Sequence, residues 1–279
     1  MTQNQNLSRT KKLVTVAILI AVATVLSLIK LVDLPCGGSI TIASMLPIII
    51  ISYKYGTGWG LAAGFIFGVI QQLTGLNTLT YVTTWQSVIA VILLDYIIAY
   101  AVIGLAGIFR KAIKNQTAAI ICGTIFVCIL RYACHVISGA TVWVGLSIPD
   151  TAALIYSFGY NATYMVPETI VLIIVGYYFS SMLDLSKDGD FAVKKKQEST
   201  IPLPFSVSGG LVLAAALIYD TVEIFYNLQN PETGEFDITL LSNVAWLYVG
   251  IVTAVAVIAA IILFAAGKTV KKTKEKESK

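Results

Sequence analysis

An all-α integral membrane protein is the fold class this 279-residue sequence predicts, on three observations. Hydrophobic residues make up 57% of the chain and charged residues 12%, whereas a soluble domain carries roughly a quarter charged residues. Mean hydropathy is +0.83, more apolar surface than a water-soluble fold hides. Several stretches run for about 18 or more residues with almost no charge, enough to cross a hydrocarbon layer of roughly 30 Å as a helix. The runs are continuous rather than alternating, and lipid offers no partner for backbone N–H and C=O groups, so the spans are expected to be helices and not barrel strands.

Apolar runs and their breakers predict eight spans, at about 13–32, 42–54, 57–73, 83–109, 117–139, 153–183, 205–227 and 241–267. The first follows Arg9, Lys11 and Lys12 and so resembles a signal peptide. Its length, its lack of a small-residue cleavage pattern and its end at Lys30 and Asp33 favour a retained span. The second and third are short, parted only by the turn Lys54-Tyr55-Gly56-Thr57-Gly58. The seventh is the weakest, because Asp220 and Glu223 fall near its end.

Lys and Arg are retained on the cytoplasmic side during insertion. Threading the chain with its amino terminus inside puts Arg9, Lys11, Lys12, Lys54, Arg110, Lys111, Lys114, Lys187, Lys194, Lys195, Lys196 and the carboxy-terminal lysine run in the cytoplasm. Only Lys30 and Arg131 escape that pattern, and the expected external segments 33–41, 74–82, 140–152 and 228–240 hold no basic residue. The expectation is a multi-pass cell-membrane protein with an even number of spans and both termini cytoplasmic. Composition divides it into a six-helix membrane domain over 1–185, a polar cytoplasmic linker over 186–204, a two-helix membrane appendage over 205–267 and a basic cytoplasmic tail over 268–279. The tail suits an anionic leaflet, although topology alone also explains it. The acidic external loop of the appendage, Asn227 to Asp237, reads as a solvated loop before it reads as a partner surface.

Cys122, Cys128 and Cys134 share one apolar span, where small polarizable packing residues are ordinary, and Cys36 stands alone in a loop. No metal-ligand spacing links them to the single histidine, so neither a metal nor a disulfide scaffold is expected. An ionisable group inside a bilayer costs roughly 2.5–3.5 kcal/mol on insertion scales, which makes each one a functional candidate. Asp95, Arg131, His135 and Glu168 are such groups, with Asp220 at the weak seventh span. Asp95 stands in LLDYIIAY beside Tyr96 and needs a cation or donors. Arg131 and His135, four apart in LRYACHVISG, share one helix face. Two readings stay open there: a structural Asp95–Arg131 ion pair, or a group left to meet a ligand.

Gly139, Trp143, Tyr156, Tyr160 and Asn161 bring indole, phenol and amide groups to the outer end of the fifth and sixth spans. A flat cationic ligand suits that mixture, since an aromatic face attracts a cation by roughly 0.5–2 kcal/mol. Interfacial anchoring suits it equally. The external Pro35-Cys36-Gly37-Gly38-Ser39 reads as a lid or a tight turn. Ala17 and Ala21, with Ala23 on an adjacent face, let another helix approach the first closely. Pro167 is expected to kink the sixth helix before Glu168, whose role is then either hydrogen bonding within the kink or ligand contact.

The ordered segments GGSITIASMLPIIIISYKYG, LLDYIIAYAVIGLAGIFRK, LRYACHVISGATVW and IYSFGYNATYMVPE resemble the thiamine-specific substrate-binding subunit (S component) of energy-coupling factor transporters, from about Ala17 to Leu183. The resemblance implies a six-helix bundle whose thiamine site opens outward under the loop joining the first two helices. It implies ligand contact by Asp95, Tyr96, His135, Gly139, Trp143, Tyr156 and Asn161, a lid containing Gly37, Gly38 and Ser39, and docking through Ala17 and Ala21 on a transmembrane coupling protein served by two ATPase subunits. Two departures stand out. Gly38 occupies the nearest place to a stacking tryptophan of some members, and the last two spans lie outside the six-helix pattern. No Walker-type GxxxxGK[ST] loop occurs, so ATP hydrolysis is assigned to partners. The expected function is therefore vitamin capture for import without catalysis, cofactor or nucleic-acid partner. Hydroxymethylpyrimidine or another small vitamin is the alternative ligand, and an intramembrane enzyme using His135 and Asp95 the remote rival.

Overall fold

The computed structural model describes residues 3–34, 37–143, 151–185, 191–193, 202–230 and 237–277. Cys36, the linker lysines Lys187, Lys194, Lys195 and Lys196, and loop residues 231–236 lie outside the described residues. Six helices among the described residues are long and apolar enough to cross a membrane: Arg9–Leu28, Trp85–Arg110, Gln116–Thr141, Thr151–Met182, Pro204–Asn227 and Trp246–Lys271. The chain is a multi-pass, all-α membrane protein that divides into two compact units, Met1–Val193 and Lys194–Lys279.

The first unit holds α1 (Gln3–Leu28), the hairpin β1 (Lys30–Asp33) and β2 (Ser39–Thr41), α2 (Leu46–Tyr55), α3 (Thr57–Thr74), α4 (Trp85–Arg110), α5 (Gln116–Thr141), α6 (Thr151–Met182) and a small hairpin, β3 (Leu183–Asp184) with β4 (Ala192–Val193). The expectation of eight spans of crossing length is corrected here. The run at 42–54 forms a helix of only 10 residues, and that at 57–73 one of 18 outside the six. The shorter one is apolar because protein surrounds it. Every residue of α2 from Leu46 to Lys54 is buried, with Ile48, Ile49 and Ile51 wholly so, and a helix hydrophobic all round belongs in a core. Gly56, at φ 98°, turns the chain directly from α2 into α3.

On α1 the buried residues Val16, Ile20, Ala23 and Ser27 recur at helical spacing, while Leu13, Val14, Ile18, Val22 and Val25 face outward. Lys30, one exception to the charge pattern, sits in β1 with its ammonium 3.0 Å from the Asp33 carboxylate. α3 and α4 meet backbone to backbone. A Cβ built on Gly104 would run into the Gly60 backbone, and one on Gly64 would lie 2.5 Å from the Tyr100 carbonyl oxygen. Small residues at a helix crossing allow that approach. α4 is unevenly wound: Thr84 caps its first turn, Ile92–Ile98 is a π-helical stretch, and Val102–Arg110 is 3-10. At the opposite end, Gln116 Nε2 donates to the Ser180 and Leu183 carbonyls at 2.9 and 2.7 Å. Its Oε1 accepts from the Leu185 N–H at 3.0 Å, clipping β3 to α5.

The second unit is a helical hairpin of α7 (Leu203–Asn227) and α8 (Trp246–Glu277). Gly209 lies against Phe264 while Asp220 accepts a hydrogen bond from Thr253 Oγ1 at 2.5 Å, a register that runs the helices antiparallel. Asp220, doubtful for a span by composition, is thus buried with a hydroxyl donor, although its second oxygen has no hydrogen-bond partner among the described residues.

Candidate functional site

Asp95 stands within the π-helical stretch of α4 and is buried. A carboxylate in a low-dielectric interior is tolerated only when its lone pairs find donors. Three do, all from the C-terminal end of α5 and the residues just beyond it. His135 Nδ1 lies 2.7 Å from Oδ1, while Ser138 Oγ and the Trp143 indole N–H reach Oδ2 at 2.5 and 3.1 Å. With Asp95 as the acceptor, the Nδ1 proton belongs to His135, which leaves Nε2 to point elsewhere. That Nε2 is buried and has no hydrogen-bond partner among the described residues. The expected alternative of a structural Asp95–Arg131 pair is therefore corrected: the acid is held by His135, Ser138 and Trp143. The Arg131 guanidinium instead donates to Met45 Sδ and Tyr100 Oη, both at 3.0 Å, and lies 4.5 Å from the centre of the Tyr100 ring.

α6 supplies the facing wall. Asn161 Nδ2 donates to the Ser157 carbonyl at 2.8 Å and approaches the His135 carbonyl at 3.4 Å, while Asn161 Oδ1 accepts from Tyr164 Oη at 2.6 Å. Ser157 Oγ donates to the Val136 carbonyl at 2.9 Å. Gly139 explains why α5 and α6 come this close, since a Cβ there would collide with Ser157 Oγ. Gly139 thus sits at the helix seam beside Asn161. Tyr156 stacks on Tyr160, with ring centres 6.2 Å apart and planes within 2°. Tyr96 turns from Asp95 toward the end of α3, where its hydroxyl lies 2.7 Å from Thr78 Oγ1 and 3.4 Å from the Gly75 carbonyl.

The β1–β2 hairpin closes over this arrangement. Gly38 N–H donates to Tyr160 Oη at 3.3 Å, and a Cβ on Gly38 would press into the Tyr164 ring at 2.7 Å. Gly37, at φ +95°, lies against the Thr78 methyl, and Ser39 begins β2. A tryptophan at position 38 would have no room beside Tyr164. Glu168 bonds not within its own helix but to Thr41 at the end of β2. Ala17 and Ala21 both lie on the exposed side of α1, whereas Ala23 is fully buried.

The structure therefore gathers Asp95, His135, Gly139, Trp143 and Asn161 at one place, leaves Tyr156 exposed and stacked on Tyr160, and directs Tyr96 to a neighbouring turn. Ser138 and Ser157 escaped the sequence reading because a serine in an apolar helix carries no charge signal. The one trace available was spacing, with Ser138 three residues past His135 on the same face. Acid, imidazole, indole and amide can hold a flat, polar or cationic molecule. Among the described residues, no three His, Cys, Asp or Glu side chains cluster as metal ligands.

Residues 13–185 match a family model described as Thiamine transporter protein. The thiamine transporter ThiT of Bacillus subtilis (strain 168) is 35% identical over 186 residues, which span 63% of this chain and 91% of that protein. A solved structure of ThiT from Listeria monocytogenes is 26% identical, with 62% of this chain and 94% of that one covered, at a TM-score of 0.49.

Proposed function

The chain belongs to the thiamine transporter protein family, and we propose that it is the substrate-capture subunit of an energy-coupling factor importer, holding thiamine between α4, α5 and α6. The observation that carries this reading is the convergence of His135, Ser138 and Trp143 on the Asp95 carboxylate beneath the β1–β2 hairpin. Thiamine couples a permanent cation to a flat aminopyrimidine. Asp95 supplies the negative charge, Trp143 and Tyr156 supply faces that attract a cation, and His135 Nε2 and Asn161 supply polar edges. Tyr96 and Gly139 shape the wall. The protein performs no chemistry on its cargo.

In this reading the ligand enters from outside, the hairpin bearing Gly37, Gly38 and Ser39 shuts over it, and the six-helix bundle then reorients within the membrane. Docking on the transmembrane coupling protein uses the outward face of α1 with Ala17 and Ala21, whose small side chains admit a second helix. Two ATPase subunits supply the energy. Both termini lie in the cytoplasm, supported by the absence of basic residues from the expected external segments. α7 and α8 add two spans to the six-helix bundle, joined to it by the linker over 186–204.

Calorimetric titration of the purified full-length protein tests the site. Thiamine is expected to bind, and Asp95→Asn to weaken it by roughly a hundredfold, about 3 kcal/mol for a charged contact in a dry site. Trp143→Ala is expected to weaken it by about tenfold. Binding that survives both substitutions unchanged would overturn this assignment, and preference for the isolated hydroxymethylpyrimidine would change the cargo.

A further inference from the structure

Two buried charges take no part in the cluster around Asp95, and both turn toward one short segment. Glu168, on α6 just past Pro167, is 2% exposed. Its Oε2 accepts the Thr41 backbone N–H at 2.6 Å and its Oε1 the Thr41 hydroxyl at 2.7 Å. Arg131, on the neighbouring α5, donates from Nη1 to Met45 Sδ at 3.0 Å and braces its other side on Tyr100. Thr41 ends β2 and Met45 precedes α2, so the stretch between them is the root from which the hairpin rises. Ser44 ties the two ends together, its hydroxyl 2.8 Å from Thr41 Oγ1.

Opposite charges on adjacent helices in a low-dielectric interior attract strongly, and the simplest packing would set them against each other. Here Glu168 turns to Thr41 and Arg131 to Met45 and Tyr100, and Arg131 Nε is left buried without a hydrogen-bond partner among the described residues. A thioether is a weak acceptor for a guanidinium, so Arg131 is poorly satisfied where it stands. Glu168 by contrast reads one residue twice, through backbone and side chain. Short hydrogen bonds to a carboxyl group are among the stronger ones in proteins. The hairpin tip at Gly37 and Gly38 meets Thr78, Tyr160 and Tyr164, whereas its root meets the two charges.

We infer that Glu168 and Arg131 form a two-point anchor for the root of the β1–β2 hairpin, and that this anchor sets how long the closed hairpin retains a ligand. The inference rests on reading the hairpin as the lid of the thiamine site. Glu168 acts through Thr41 and touches no ligand, which makes it a positioning residue. An anchor at the root leaves the tip free to lift while fixing where it lands, so loosening it should accelerate escape more than it slows entry.

The test uses the full chain with Glu168→Gln, Thr41→Val and the two combined. Gln removes an acceptor for the Thr41 N–H, and Val removes only the hydroxyl. Stopped-flow mixing with thiamine, followed by tryptophan fluorescence, is expected to show dissociation about tenfold faster in each single variant, with association within about threefold of the parent. The double variant should be worse than either single one by less than the sum of the two, because both weaken the same Glu168–Thr41 pair. Hydrogen exchange on the ligand-free protein gives a second reading, with faster exchange in the 37–41 amides of Glu168→Gln and unchanged exchange in α8. Unchanged dissociation together with unchanged exchange at 37–41 would overturn the anchor. So would equal changes in both rate constants accompanied by a general loss of exchange protection. Absence of thiamine binding by the parent protein would instead defeat the proposed cargo, and the exchange comparison alone would then decide the anchor.

Discussion

Gly139 shows how a residue without functional atoms can govern a binding site. The Cβ of an alanine there would collide with Ser157 Oγ, the same hydroxyl that bonds the Val136 carbonyl and neighbours the Asn161 amide. Gly139→Ala is expected to lower thiamine affinity by roughly tenfold through the displaced Asn161, a loss of about 1.4 kcal/mol. Adding Ser157→Ala should recover part of it, because the obstructing atom is then gone. Calorimetry on the parent and the two variants checks both statements, and equal loss in the single and double variants would mean that the seam does not transmit the clash. Asp95, His135 and Trp143 were legible as a group in the sequence, since lone polar side chains in apolar helices are costly and few. Ser138 and the Glu168–Thr41 bond were not. A serine adds nothing to a charge pattern, and a contact 127 residues apart leaves no local periodicity to read.

Helices were legible where length and apolar character coincide, and misjudged where they part. The ten residues of α2 look like a shortened span by composition, yet their apolar character serves a protein core on all sides. The winding of α4 was equally hidden, because Ile92–Ile98 has the composition of any buried helix. That π-helical stretch carries Asp95, and such wide turns concentrate at functional positions. The α3–α4 crossing gives a sharper prediction at this scale. Gly104→Ala would place a methyl group against the Gly60 backbone, and overpacking of that kind costs typically 1–3 kcal/mol. A lower thermal midpoint in detergent is the expected result. An unchanged midpoint would show that the two helices separate more readily than their backbone contact implies.

The molecule divides into two compact units, Met1–Val193 and Lys194–Lys279. The family match covers 13–185, and every residue of the proposed site falls inside the first unit. A chain ending after Val193 is therefore expected to bind thiamine within about threefold of the full-length protein, a difference below 1 kcal/mol. Tryptophan fluorescence titration of the truncated and full-length forms makes the comparison, and a loss beyond about tenfold would give α7 and α8 a part in capture. Transport in cells is a separate measurement, because the deleted segment could still serve assembly with partners.

The glycine crossing between α3 and α4 also bears on how the bundle moves. Side chains that interlock can slip from one groove to the next, whereas two backbones in direct touch offer no such intermediate stops. α3 and α4 should consequently tilt as a single stiff slab. Because Asp95 rides on that slab while His135 and Ser138 ride on α5, the hydrogen bonds that hold the carboxylate should change with the angle at which the slab leans.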